Sequence, residues 1–196
     1  MNRPFNLPVR APGIRGAYHL GLALSTAAGP AANALHASFR WASSSVVCVI
    51  TRLALRLSQP TPSSAGLPTF ALVMGRSFTA AHTGGTAVTV TGNSLKKRTA
   101  DPTTALGSGD ARFVSGGVLA GGTVTLDADP CMVVAGSSTG SFEAADGPSR
   151  DLREDPIVLA QNEGFVLRNL VSQTGGITLL SLNMEWVEMN LGTLEG

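Results

Sequence analysis

Charge is the scarcest ingredient of this sequence. Only 14% of its 196 residues are Asp, Glu, Lys or Arg, where a globular chain usually carries about a quarter. A helical protein needs charged side chains on its wet faces, so this shortage argues against an α-helical fold. It also argues against disorder driven by charge repulsion. The 14 basic and 13 acidic residues leave a net +1, which supplies no global attraction to nucleic acid. Aromatic residues are equally sparse, at 5% with a single Tyr and two Trp. There are two cysteines, Cys48 and Cys131, each inside an apolar run, and they read as buried free thiols. Spacing alone neither requires nor forbids a disulfide between them. No apolar run approaches the roughly 18 residues that a membrane span requires.

What the chain has in abundance is glycine, proline and alternation. The 23 Gly and 11 Pro divide it into short segments. Residues 1–16, MNRPFNLPVRAPGIRG, carry a Pro every four positions and exclude helix; they read as an extended N-terminal arm. The arm's Arg3, Arg10 and Arg15, followed by an apolar stretch, mimic a secretory signal. The prolines and His19, which interrupts the apolar run, favour the arm. Residues 17–196 read as one domain. Within it, Tyr18, Leu20, Leu22 and Leu24 alternate as a strand, and Ala31 to Phe39, after Gly29-Pro30, fits a short helix.

Val46 to Ser58 alternates as a long strand, with Val47, Val49, Leu53, Leu55 and Leu57 on one face and Cys48, Ile50, Arg52, Ala54 and Arg56 on the other. Gln59 to Pro68 is a loop, Phe70 to Phe78 a strand, Thr86 to Thr91 another, and 93–110 a loop. Arg112 to Ser115, Thr123 to Leu126 and Cys131 to Ala135 read as short strands, and Gly136 to Asp155 as a long loop. The closing stretch, Pro156 to Met189, reads as three neighbouring strands of an antiparallel meander. Its turns fall at Asn162-Glu163-Gly164 and Gln173-Thr174-Gly175-Gly176. In its last strand Leu180, Leu182, Met184 and Trp186 share the buried face. Many short strands with turn-rich spacing and little helix predict an all-β fold, an antiparallel β-sandwich of jelly-roll type with a barrel as the rival.

Signatures of chemistry are missing. His19, His36 and His82 stand alone, with no H-x-H or H-E-x-x-H spacing to hold a metal. Asp127 with Asp129, and Asp146, Asp151, Glu154 and Asp155, cluster without the offsets of a calcium loop, and Arg150 and Arg153 sit among the second group. The glycine pairs lack a phosphate-loop pattern, and no G-x-S-x-G elbow occurs. These absences predict a protein that is no enzyme, with no cofactor, no metal and no small-molecule substrate. Lys96-Lys97-Arg98 is the one basic cluster and has no aromatic residue interleaved with it. It reads as a solvated loop or as salt bridges to a neighbouring subunit. The charge-poor surface itself favours an oligomer or assembly subunit.

Four phrases carry a family likeness. They are Phe39-Arg40-Trp41 followed by TRLALRLS; GRSFTAAHTGGTAVTVTGNSLKKRT; GGTVTLDADP; and DPIVLAQNEGFVLRN closing on MEWVEM. Together they span most of residues 36–189 and leave the arm outside. In them the sequence resembles a family of tailed-bacteriophage virion structural proteins. The resemblance implies a capsid decoration (cement) or minor capsid protein on the exterior of the virion. It further implies a homo-oligomer, a trimer, bound to the major capsid protein. Expected partner contacts are Arg3, Phe5, Arg10 and Arg15 in the arm and Lys96, Lys97 and Arg98 in the basic loop. The alternative is a head-fibre or tail-associated module that binds a host receptor or glycan.

Overall fold

The computed structural model of the chain describes residues 13–136, 142–145 and 148–191, with backbone only for 142–145. Among them, the first long strand, β1 (Ile14–Ser25), and the last, β12 (Ile177–Asn190), pair with each other in antiparallel register. The same nesting repeats inward. Strand β2 (Leu35–Trp41) pairs with β11 (Glu163–Asn169), β3 (Val46–Thr61) with β10 (Ile157–Leu159), and β4 (Thr69–Ala80) with β7 (Thr123–Ala135). Two sheets result, with strand orders β1-β12-β3-β10 and β2-β11-β4-β7. A ribbon of nested antiparallel pairs wrapped into two such sheets is a jelly roll. The fold class is therefore an all-β, antiparallel sandwich, as expected. Minor strands extend it: β5 (Thr86–Ala87) and β6 (Ala111–Phe113) widen the β2 edge, and β8 (Phe142–Ala145) and β9 (Ser149–Asp151) join β10 along β3.

The two sheets meet through the inward halves of alternating strands. Tyr18, Leu20, Leu22 and Leu24 of β1 and Leu180, Leu182, Met184 and Trp186 of β12 pack with Phe39, Phe70, Leu72, Phe165 and Leu167 of the other sheet. Aromatic rings tie the layers: Trp186 stacks on Tyr18 at 5.5 Å and meets Phe39 edge-on at 5.7 Å. These geometries contribute about 0.5–1.5 kcal/mol per pair beyond area burial. A void of only about 10 Å³ remains between the sheets, lined by Leu22, Leu182 and Phe165 among others. That is barely room for one water.

Several expectations change. The helix expected over Ala31 to Phe39 is absent: Asn33 turns the chain at φ 62°, and β2 follows with Ala37, Phe39 and Trp41 buried in the core. Period-2 burial here outweighs the helix preference of alanine. The closing meander is not a meander. Strands β10 and β12 lie in one sheet on opposite sides of β3, while β11 crosses to the other and sits between β2 and β4. The first crossing turns at Ala160–Glu163, with Asn162 at φ 65°. Gly164 is thus a strand residue, and its missing side chain lets the Phe39 carbonyl approach. The second turn falls where expected, with Gly175 and Gly176 at positive φ.

Strand β3 carries both its faces inward in turn. Glu185 lies opposite Arg52 and Trp186 opposite Ile50, so Thr51 is an unmatched extra residue, a β-bulge. Leu53, Leu55 and Leu57 point into the core after it, but before it Cys48 and Ile50 do, and Val47 and Val49 form a separate outer cluster with Val187. The two short strands expected between Thr123 and Ala135 are one strand, β7, broken by register shifts rather than by a loop. The Thr86 to Thr91 strand shrinks to β5, and the 136–155 loop contains β8 and β9. Ile14, Arg15 and Gly16, placed by the sequence at the end of the arm, are residues of β1.

Candidate functional site

The register of the first sheet sets out its outer face in rows. One row runs His19, Glu185, Arg52, Asp151 across β1, β12, β3 and β9. The next runs Gly21, Asn183, Ala54, Ser149, and the one beyond it holds Ala23, Ser181 and Arg56. Large charged side chains in the first row stand above small ones in the second, so a trough of about 320 Å³ opens between them. Gly21 contributes directly, because a Cβ there would come within 3.2 Å of Asn183 Oδ1. On the other side of the charged row a second open trough, about 590 Å³, is lined by Thr51, Asp151, Arg153, Lys97 and Val187.

The row itself is a ladder of alternating charge. Lys97 reaches in from the 93–110 loop and pairs with Glu185, which also meets Arg52 at 3.7 Å. Beyond Arg52 stands Asp151, paired with Arg153. The Arg153 guanidinium, with Arg52 nearby, holds the exposed Asp151 carboxyl down to about 2. The order is therefore positive, negative, positive, negative, positive, with a cation at each end. Individually such exposed pairs add little to stability; their importance here is the pattern they display.

Lys97 is in place because the 93–110 loop is bound to the edge of β1. His19 N–H donates to Leu95 O at 2.9 Å, and Lys97 N–H to Ala17 O at 3.0 Å. Ala17 N–H donates to Asp101, and Tyr18 Oη to Pro102 O. Underneath lies Glu188, wholly buried. It accepts hydrogen bonds from Thr104 Oγ1, from Ala105 N–H at 2.9 Å and from Trp186 Nε1 at 3.5 Å, with Arg15 at 3.7 Å. Burial raises the Glu188 carboxyl above its ordinary value despite these donors, and burial with the Glu188 charge raises Tyr18. This carboxylate anchors a loop and faces no solvent.

Of the expected contact residues, Arg3, Phe5 and Arg10 lie outside the described residues. Arg15 is engaged with Glu188, Lys97 with Glu185, and Arg98 with Asp101. Lys96 sits at a backbone bridge to Tyr18. Two of the cluster's three cations, Lys97 and Arg98, make salt bridges within the chain. His36 and His82 are buried, which lowers both imidazoles, while His19 is exposed on the charged row. Asp127 pairs with Arg76 at 2.9 Å and Asp151 with Arg153; Asp146 lies outside the described residues. Among the described residues no three His, Cys, Asp or Glu converge as metal ligands. Cys48 and Cys131 are free thiols on different sheets. The sequence marks Arg52 and Arg56 as polar-face residues but not the alignment of Arg52 with Glu185 and Asp151, which depends on the Thr51 bulge. No family model matches the chain, and no curated protein matches its sequence.

Proposed function

We propose that this chain is a non-enzymatic virion structural protein of a tailed bacteriophage. In this reading it is a capsid decoration subunit, trimeric, bound to the major capsid protein on the outside of the shell. The observation that carries the reading is where the family-like phrases fall. RSFT lies within β4, TVTLDADP within β7, IVL on β10, EGFVLRN on β11 and MEWVEM on β12, all framework strands of the jelly roll, while TGGTAVTVTGNSLKKRT runs through β5 and the loop after it. The likeness is thus one of architecture, as befits a structural subunit, although a fold by itself does not specify a function. The burial of Glu188, His36 and His82 agrees with it, since none presents a reactive group to an open pocket. A glycan-binding module has less support. Tyr18, Trp41 and Trp186 are fully buried, and no described aromatic ring is exposed for stacking on a sugar.

The test is to add the purified protein to expanded shells that lack it, sediment them, and reconstruct the particles. Copies spread over the shell at local three-fold positions are expected. Copies confined to one vertex, or no co-sedimentation, would refute the decoration role. The arm is testable in the same assay. Strand pairing begins at Ile14, so deleting residues 1–12 leaves every described strand pair in place. That truncation is expected to weaken attachment with unchanged far-UV circular dichroism, and full-strength attachment would remove the arm from the mechanism.

A further inference from the structure

We infer that the end of the sandwich formed by the 26–34, 62–68, 114–119 and 170–176 connections is a self-association face, on which a second copy of this chain docks. None of the 14 basic and 13 acidic residues falls in those connections, and the sequence between β7 and β8, 136–141, adds none. Charge gathers elsewhere: Lys96, Lys97, Arg98, Asp101 and Asp110 between β5 and β6, and Arg153, Glu154 and Asp155 between β9 and β10. Along the adjoining strands the first charged positions are Arg168 and Glu143, each one residue in from its strand end. Exposed apolar side chains collect where charge is missing. Among the described residues eight large ones are exposed. Leu67, Val118 and Val171 lie in these connections, and Ile177, Leu179 and Val133 lie within two residues of the adjoining strand ends.

The loops of this end are already stitched together. The central one, 170–176, bonds to both its neighbours. Gln173 N–H donates to Pro30 O at 3.1 Å and Gly29 N–H to Gly175 O at 3.2 Å, while Ser64 N–H donates to Thr174 O at 2.8 Å and Thr174 N–H to Ala65 O at 2.9 Å. Gly116 N–H to Ser25 O, at 3.0 Å, and Leu119 N–H to Leu35 O, at 2.8 Å, hold 114–119 against the same end. Loops tied in advance need little further ordering when they bind. Charge then selects the occupant. A charged side chain pressed against this end would lose its water and find no countercharge, which opposes binding. The occupant is therefore a surface itself free of charge, as the centres of protein interfaces tend to be, and the same end of a second copy meets that requirement. Contact of like with like is how closed symmetric assemblies form. The trimer proposed above needs such a face, but self-association by this end does not depend on a virion role. Four strands and two sheets give an end of roughly 20 Å by 20 Å. That is smaller than the roughly 800 Å² per partner of a standard interface, so the association is concentration-dependent.

Sedimentation equilibrium of the full chain provides the test, at concentrations from about 5 μM to about 500 μM. A concentration-dependent oligomer is expected that added salt does not dissociate, since no ion pair holds it. Leu67→Lys and Val171→Lys each place a charge on the end and should raise the dissociation constant about tenfold or more. Val158→Lys, at a comparably exposed valine on β10, should leave it unaltered. All three positions are exposed, so far-UV circular dichroism should match the wild type in each variant. A monomer throughout the range, an oligomer that the two end variants leave intact, or equal dissociation by all three would overturn the assignment. Deleting residues 1–12 should leave the oligomer in place; its loss would move the contact to the arm and overturn the assignment as well. Shell sedimentation separates this face from the virion role. A chain that self-associates by this end but does not bind shells keeps the face and loses the decoration role. A monomer that binds shells loses the face and keeps its attachment to the shell.

Discussion

Leu182→Asp is the sharpest test of how the sandwich is assembled. Leu182 is 5% exposed, stands between Leu22 and Leu55 on its neighbouring strands, and lines a small void between the sheets. Its surroundings there are almost wholly hydrocarbon, with Ser38 the one hydroxyl on the void wall. Removing the leucine forfeits about 1.5–3 kcal/mol of burial, and Leu182→Ala, with its enlarged cavity, should cost about 2–5 kcal/mol. Aspartate adds the desolvation of an ionised carboxylate without a cation in reach, several kcal/mol more. The total rivals the whole stability of a domain, about 5–15 kcal/mol. Urea denaturation followed by circular dichroism should find the alanine variant folded with a lowered midpoint and the aspartate variant unfolded at neutral pH. Burial would raise the carboxyl's folded-state pKa above its unfolded value, so the penalty is full above the raised value and shrinks as pH falls toward the unfolded one. Partial refolding of Leu182→Asp near pH 4–5 is therefore expected, at about the ordinary carboxylate range. A Leu182→Asp protein that unfolds at the wild-type urea midpoint at pH 7 would show that Leu182 faces solvent.

Gly164→Ala should be unusually damaging for so small a change. Its Cβ would overlap the Phe39 carbonyl oxygen and come within 2.8 Å of the carbonyl carbon, both backbone atoms of the paired strand. A loss of about 2 kcal/mol or more, read as a lowered melting temperature, is expected from forcing β2 and β11 apart; an unchanged melting temperature would contradict the pairing. Glu188→Gln bears on pH. Because the folded-state pKa of Glu188 is raised, wild-type stability should gain as pH falls from neutral toward the ordinary carboxylate value of about 4.3. Buried His36 and His82 pull the opposite way below about 6.5, so the glutamate contribution is the difference between wild-type and E188Q melting curves across that window. A constant difference would rule it out. Asp151 should titrate near 2 by NMR, and Arg153→Ser should return it toward the ordinary range; no change would mean that Arg153 does not hold it.

How much of this was legible depended on whether a strand has one apolar face or two. Strands β1 and β12 alternate cleanly from Tyr18 to Leu24 and from Leu180 to Trp186, and both their existence and their buried faces follow from period alone. In β3 the run Val47-Cys48-Val49-Ile50 is apolar at every position, so either parity satisfies it. Only the polar Arg52 and Arg56 further on break the tie, and the extra Thr51 hides the change of parity. The order of strands in space was less legible still. EGFVLRN buries Phe165 and Leu167 on one face and Val166 on the other, the mark of a strand covered on both faces. That signal was present, but sequence adjacency to β10 and β12 suggested a hairpin, and nothing local says that a four-residue turn crosses between layers.

The bulge joins these two levels. In an uninterrupted β3, Arg52 on the outside would place Ile50 outside too, since residues two apart share a face. Thr51 allows Ile50 and Cys48 to enter the core while Arg52 keeps its place opposite Glu185, and its own hydroxyl donates to Glu185 O at 3.2 Å. Core and charged ladder therefore depend on the same extra residue. Bulges recur where a strand must re-aim a side chain for use. Here it is Arg52 that stands out, central to the ladder and facing both troughs. The candidate surface is thus tied to the packing of the fold, which explains why it could not be read from the charged residues alone.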